Sequence, residues 1–131
     1  MFFTREADYG IRMIRALSKG EKMNIAAICA AEEIPRQFAY KILKKLSTAE
    51  IVTIIRGVNG GYVLKRPLEE LTLYDIVSVI DTELFLNKCL NTSYQCERNK
   101  EELSCKVHNE LQRVQSVLVC ELQKTPVKEL F

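Results

Sequence analysis

The chain has 131 residues, enough for one small domain or a domain with an appendage, and its hydrophobic fraction of 47% is typical of a folded globular protein rather than a disordered one. No apolar run approaches the roughly 20 residues of a membrane-spanning helix, and charges follow the N-terminal Met too closely for a secretion signal, so we expect a cytoplasmic protein with no membrane partner. Residues 1–66 hold 12 Lys and Arg against 6 Asp and Glu, whereas residues 67–131 hold 7 against 11, which points to a first half that faces nucleic acid.

The first part of the chain predicts three helices. Thr4 is a good N-cap, and apolar residues at gaps of four, three and three predict an amphipathic helix over residues 5–18. Asn24 caps a short second helix over residues 25–31. After a tight turn, Pro35 can serve as the first residue of the third helix.

The third helix divides into an apolar and a polar half. The apolar half holds Phe38, Ala39, Ile42, Leu43 and Leu46. The polar half holds side chains that suit bases and phosphates, namely Arg36, Gln37, Tyr40, Lys41, Lys44 and Lys45. Two short helices of which the second is basic indicate a helix-turn-helix, although an ordinary surface helix would give the same wheel. In a helix-turn-helix, Arg36 and Gln37 would meet base edges, and the later polar residues would reach sugar and phosphate.

A β-hairpin is predicted directly after this helix. Residues 51–56 and 62–64 have strand character, and Asn59, Gly60 and Gly61 between them predict a turn with positive φ angles. Arg56 lies on one side of the tip and Lys65 and Arg66 on the other, where they would suit phosphates or a minor groove. For Asn59, a purely structural role in the hairpin is equally open. A hairpin after a recognition helix is the wing of a winged helix.

The second half predicts a helix, an irregular stretch and a long helix. Thr72 and Asp75 have the spacing of a capping box and open a fourth helix. Periodicity fails between residues 81 and 101, and an irregular stretch of this length is usually functional or disordered. From about residue 102, apolar residues recur at gaps of three and four: Leu103, Val107, Leu111, Val114, Leu118 and Leu122. Since the rest of this helix is polar, we expect the seam to pack against a second copy of the chain.

Three units follow from this order of elements. Residues 1–80 form a winged helix-turn-helix DNA-binding domain, and residues 81–101 form a cysteine-bearing loop. Residues 102–131 form a dimerisation helix and tail. The expected fold class is mainly α with a small β-hairpin.

The only histidine and three of the five cysteines fall within 20 residues, in the order Cys89, Cys96, Cys105 and His108. Thiolate and imidazole groups are ligands of iron–sulfur clusters and of zinc, and an odd cysteine count in a reducing compartment argues against disulfides. Zinc, a metal-free thiol switch and incidental cysteines remain as alternatives. Cys29, in the apolar second helix, and Cys120, late in the long helix, are left outside the site.

Several motifs resemble one bacterial family of winged-helix regulators. They are the opening Phe-Thr-Arg-Glu-Ala-Asp-Tyr-Gly-Ile-Arg, the wing Arg-Gly-Val-Asn-Gly-Gly-Tyr-Val-Leu and the cysteine–histidine run. The family includes the iron–sulfur cluster regulator IscR, the nitric-oxide-sensing repressor NsrR and the cysteine-metabolism regulator CymR. The resemblance covers essentially the whole chain and implies a homodimer held by the C-terminal helix. It also implies that Cys89, Cys96 and Cys105 hold an iron–sulfur cluster, 2Fe–2S being favoured over 4Fe–4S, with His108 or Asp8 of the partner subunit as fourth ligand.

We therefore expect a transcriptional repressor that binds a near-palindromic site in double-stranded DNA, tuned by a cluster that responds to redox state, nitric oxide or iron–sulfur status. An enzyme with a small-molecule substrate is not expected, because the chain has one histidine, no Gly-rich phosphate loop after a strand and no nucleophile elbow. The alternative from another class is a zinc-stabilised or metal-free thiol switch that acts through a partner protein. The basic face of residues 36–45 argues against that alternative.

Overall fold

The computed structural model describes residues 3–99 and 105–131. Within them the elements follow the predicted order: α1 Arg5–Leu17, α2 Ile25–Glu32, α3 Arg36–Thr48, β1 Val52–Ile55, β2 Gly61–Leu64, α4 Leu73–Ile80 and α5 Lys106–Leu122. Single turns of 3₁₀ helix occupy Lys88–Leu90 and Val127–Glu129. Among the described residues, no helix combines the length and apolar character needed to cross a membrane. The fold class predicted from the sequence, mainly α with one small hairpin, is confirmed.

The helix starts are set by their predicted caps. The side chain of Thr4 accepts a hydrogen bond from the amide of Ala7, and that of Asn24 accepts one from Ala27. Thr72 and Asp75 form the predicted capping box, in which each side chain bonds the other residue's backbone amide. Pro35 is the N-cap of α3 and not its first residue.

The core lies where α1, α3 and α4 pack together. The apolar half of α3 is buried as predicted, since Ala39, Ile42, Leu43 and Leu46 are fully covered. Phe38 is half-buried with its ring centroid 5.5 Å from that of Tyr9. At Gly10 a Cβ atom would lie 1.9 Å from Cδ1 of Ile80, so a larger residue there would force the Ile80 side chain to shift where α1 contacts α4.

The hairpin is the predicted wing, with a third segment beside it. Strands β1 and β2 pair antiparallel from Val52 opposite Leu64 to Ile55 opposite Gly61. Met23, in the connection between α1 and α2, pairs with Tyr62 through hydrogen bonds of 3.1 and 2.8 Å. The wing is therefore held on the outer side of β2 by a part of the chain that is distant in sequence.

The prediction of positive φ angles at Asn59, Gly60 and Gly61 is wrong. The positive φ in this turn is at Gly57, at 112°. Gly60 and Gly61 are needed for close approach instead. A Cβ atom at Gly60 would lie 2.4 Å from the carbonyl oxygen of Ile55, and one at Gly61 would lie 2.8 Å from that of Met23.

The second half follows the predicted order of an irregular stretch and a long helix. Residues 81–99 hold one 3₁₀ turn and otherwise irregular backbone. Helix α5 begins at Lys106 with Cys105 as its N-cap, later than the predicted start near residue 102. Residues 102–104, with Leu103 of the predicted seam, lie outside the described residues.

After α5 the chain returns to the helical domain. The amide of Val127 donates to the carbonyl oxygen of Leu71 over 2.8 Å, and the side chain of Val127 is fully buried in the core. No local pattern in the sequence predicts this contact.

We expect Val127→Ala to lower the free energy of unfolding by about 2 kcal/mol, because it removes two buried methyl groups and leaves a cavity. The matched control is Val58→Ala, the same change at a fully exposed wing-tip position, which should leave stability nearly unchanged. Chemical denaturation of both variants measures the difference. Equal stability of the two would show that the C-terminal segment does not pack on the core.

Candidate nucleic-acid interface and cysteine loop

The exposed face of α3 carries most of the predicted DNA-contacting residues. Arg36, Gln37, Tyr40 and Lys44 are exposed, Tyr40 to 64% of its surface. Within the described part of the chain, these four side chains take part in no hydrogen bond or ion pair. They are therefore available to a ligand on this face.

Lys41 and Lys45 differ from their neighbours because both face Glu6 of α1. Lys41 Nζ donates to Glu6 Oε1 over 3.0 Å, and Lys45 Nζ lies 3.7 Å from Glu6 Oε2. Lys45 also donates to the carbonyl oxygen of Ile80 over 2.7 Å, at the C-terminal end of α4. The hydrogen bond from Lys41 lowers the pKa of Glu6. Two of the predicted phosphate-contacting lysines thus have an internal partner.

The tip of the wing is basic, but the basic residues there are not all the ones predicted. Arg56 is exposed at the end of β1. Lys65 pairs with Glu50 over 2.8 Å, and Arg66 lies 3.7 Å from Asp75, so both of these predicted contacts have internal partners. Lys22 instead reaches the wing tip.

Lys22 was missed because it precedes Asn59 of the wing tip by 37 positions. Its Nζ donates to the carbonyl oxygen of Asn59. No local pattern marks it, since the pairing of Met23 with Tyr62 is what carries the neighbouring Lys22 to the tip. Lys22 and Arg56 are therefore the basic residues at the end of the wing.

The cysteine loop and α5 together line an open cavity of about 390 Å³, and Cys89 and His108 both contribute to its lining. Asn99 lines the same cavity and links the other two candidate ligands. Its amide donates to the carbonyl oxygen of Cys96 over 3.0 Å, and its side chain accepts from the amide of Cys105 over 3.3 Å. Cys89 and His108 thus line one cavity, and Asn99 at its edge hydrogen-bonds the backbones of Cys96 and Cys105.

The chemistry of these residues suits a soft metal centre. All three cysteines are half-buried free thiols. Nδ1 of His108 is buried and has no hydrogen-bond partner among the described residues, as expected of a nitrogen left open for a ligand. The arrangement is not a closed site, however. Across residues 3–99 and 105–131, no three Cys, His, Asp or Glu side chains are grouped closely enough to hold a metal ion.

The remaining candidates lie elsewhere. Asp8, the alternative fourth ligand, accepts a hydrogen bond from Arg12 over 3.0 Å on α1 and does not line the cavity. Cys29 is buried in the core, where desolvation raises its pKa and keeps the thiol protonated. Cys120 is exposed on α5.

Gln115 fastens the cysteine loop to α5. Its side-chain oxygen accepts from the amide of Leu86 over 2.9 Å, and its side-chain nitrogen donates to the carbonyl oxygen of Leu84 over 2.8 Å. The side-chain amide of Gln115 thus both donates to and accepts from the loop backbone, as the backbone of a neighbouring β-strand would. Sequence reasoning missed Gln115 because nothing distinguishes it from other polar residues of the helix.

The start of the loop is fixed to α1. Both carboxylate oxygens of Asp81 accept hydrogen bonds from Thr4, one from its amide over 3.1 Å and one from its hydroxyl over 2.7 Å. Asp81 follows Ile80, whose carbonyl oxygen binds Lys45 of α3. The loop therefore leaves the helical domain at a point that also contacts the recognition helix.

A family model described as Rrf2, iron-dependent transcriptional regulator, matches residues 3–131. Among individual relatives, protein aau3 of Rhizobium meliloti is 36% identical over 91 residues, which cover 68% of this chain. The matched region is 59% of that relative, so the chain spans less than two thirds of its length.

Solved structures share the fold. The oxidised form of Staphylococcus aureus CymR superposes with a TM-score of 0.74 at 20% identity, over 99% of this chain and 95% of that one. T. potens IscR superposes with a TM-score of 0.72 at 16% identity, over 97% and 83%. These likenesses confirm the predicted winged-helix fold.

We expect Gln115→Ala to release the loop from α5, because it removes both hydrogen bonds to the loop backbone. Amide exchange at Leu86 should become roughly tenfold faster, since that donor loses its protected partner. Gln112→Ala is the control, because Gln112 lines the same cavity and its side chain takes part in no hydrogen bond within the described residues. Unchanged exchange at Leu86 in Gln115→Ala would contradict the attachment.

Proposed function

Because the chain belongs to the Rrf2 family of transcriptional regulators, which are not enzymes, we propose that it is a cytoplasmic repressor that binds a near-palindromic site in double-stranded DNA. The observation that carries this proposal is the exposed face of α3, where the side chains of Arg36, Gln37, Tyr40 and Lys44 make no hydrogen bond or ion pair within the described residues. The cysteine loop leaves the same domain and would serve as its sensor.

The residues of this face divide by chemistry. Arg36 and Gln37, at the start of α3, suit guanine and adenine edges. Tyr40, Lys44 and, once released from Glu6, Lys41 suit sugar and phosphate. At the wing, Arg56 and the backbone of the tip residues Asn59, Gly60 and Gly61 would meet the adjacent groove, with Lys22 beside them. Lys45 is the weakest member of the predicted set, because it is half-buried against the end of α4.

A homodimer through α5 is supported by the exposure of that helix. None of its described residues is buried in the single chain, and Val107 and Val114 of the predicted seam are 67% and 38% exposed. A second α5 would cover the seam that contains Leu111 and Leu118. Twofold symmetry would then set two α3 helices for successive major grooves.

For the sensor, an iron–sulfur cluster, 2Fe–2S in preference to 4Fe–4S, would supply a centre that oxidation or nitric oxide alters. Cys89 and Cys96 would hold it from the loop, and Cys105 and His108 from the start of α5. Asp8 of the partner subunit is the alternative fourth ligand. With those bonds lost, the loop would still be attached through Asp81, Gln115 and Asn99 but would lose its link through the cysteine and histidine ligands, so its order would decrease.

The second candidate is a zinc-stabilised or metal-free thiol switch that regulates through a partner protein. The fold shared with oxidised CymR and the free thiols of Cys89, Cys96 and Cys105 favour it. Binding to random DNA separates the two candidates, because phosphate contacts weaken steeply with salt and protein docking does not.

We expect protein purified without oxygen to be coloured and to contain iron and sulfide. Cys96→Ala should lose both, because it removes a ligand from the loop, while Cys120→Ala should keep both. Visible absorption and assays of iron, sulfide and zinc on all three proteins measure this. One zinc per chain, or no metal at all, would instead support the second candidate.

We expect Arg36→Ala to relax sequence discrimination by about 1–3 kcal/mol at a single base pair, because it removes a base-reading side chain. Lys44→Ala is the comparison and should weaken all sequences nearly equally, as loss of a phosphate contact does. Both can be measured against a DNA site selected from random sequence. Unaltered base preferences in Arg36→Ala would overturn its assignment.

A further inference from the structure

Glu6 is an acidic residue beside the DNA-facing helix. Its side chain is 24% exposed, and its carboxylate lies between Lys41, at 3.0 Å, and Lys45, at 3.7 Å. A phosphate group of DNA would present the same kind of partner to these lysines: a negatively charged oxygen that accepts from Nζ. Glu6 and a phosphate therefore compete for the same cations.

The position of Glu6 is held from two sides. It lies in the first turn of α1, whose N-cap Thr4 is bonded to Asp81 of the loop start. Its pKa is lowered by Lys41, so the carboxylate is ionised at neutral pH. Lys45 is tied in addition to the carbonyl oxygen of Ile80.

Lys41 and Lys45 differ in how firmly their side chains are held. Lys45 is 32% exposed and keeps its bond to Ile80 even without Glu6. Lys41 is 60% exposed, and Glu6 is the one hydrogen-bond acceptor of its Nζ among the described residues. Lys41 is thus the side chain that can turn towards DNA when its partner is removed.

We propose that Glu6 acts as an internal phosphate mimic that restrains Lys41 and thereby weakens sequence-independent DNA binding. This inference rests on the proposed DNA-binding function. Because phosphate contacts dominate non-specific affinity, restraining one of them widens the gap between specific and non-specific sites. Glu6 is a specificity-determining residue that touches no base.

The test is the salt dependence of binding to a random-sequence duplex. In Glu6→Gln the released Lys41 should add one phosphate contact per protomer. Each added contact should make the slope of log affinity against log salt steeper by about 0.9. The loss of affinity between 50 and 200 mM salt then grows by about threefold per protomer. Glu69→Gln is the matched control, because it removes an equal charge and a pairing with Lys128, away from α3. It should keep the wild-type slope.

Measuring the same salt slope in a Lys41→Ala background distinguishes release of Lys41 from a general effect of the lost negative charge. In Lys41→Ala, adding Glu6→Gln should change the slope no more than Glu69→Gln does. A Glu6→Gln slope equal to that of the control, or a steepening that persists without Lys41, would overturn the proposal.

Two other outcomes, an unfolded Glu6→Gln variant and a wild type that does not bind DNA, also lead to a decision. If Glu6→Gln unfolds, Lys41→Ala alone decides: it should flatten the slope less than Lys44→Ala, because Lys41 is restrained, and equal flattening would overturn the proposal. If the wild type shows no salt-dependent binding to DNA, the proposed function fails and this inference falls with it.

Discussion

Burial of the apolar half of α3 is the constraint on which the rest of this molecule depends. Ile42, Leu43 and Leu46 are fully covered where α3 packs against α1 and α4, so α3 cannot rotate without exposing them. That packing directs Arg36 and Lys44 outwards on the opposite half of the helix. The wing is fixed to the same unit through Met23 and Tyr62, so the helix and the hairpin form one surface.

The cysteine loop, which is the proposed sensor, is attached to this unit through polar contacts. Asp81 bonds Thr4 where the loop begins, and Gln115 bonds the loop backbone at Leu84 and Leu86, a few residues later. The residue before Asp81, Ile80, holds Lys45 of the recognition helix. The loop thus begins one residue after a direct contact with α3, and a change in its order would have a short physical route to the proposed DNA-binding face.

Local chemistry predicted much of the fold. Caps at Thr4, Asn24 and Thr72 and the two halves of α3 follow from residues within a few positions of each other, and all are as predicted. The contacts that were missed join distant segments. Lys22 meets Asn59 across 37 positions, and Lys41 meets Glu6 across 35, so no spacing rule could reveal them. In the site, spacing identified donors of the right chemistry but could not show which of them share a cavity.

The most direct test of the account is the dissociation constant for one DNA site, selected from random sequence by the protein itself. It would be measured on protein purified without oxygen, before and after a chelator removes the proposed metal centre. The account predicts that the affinity changes by about tenfold or more and that Cys96→Ala has the affinity of the metal-free protein without chelation. An unchanged dissociation constant after complete loss of metal would contradict it, because the loop would then have no hold on the recognition helix.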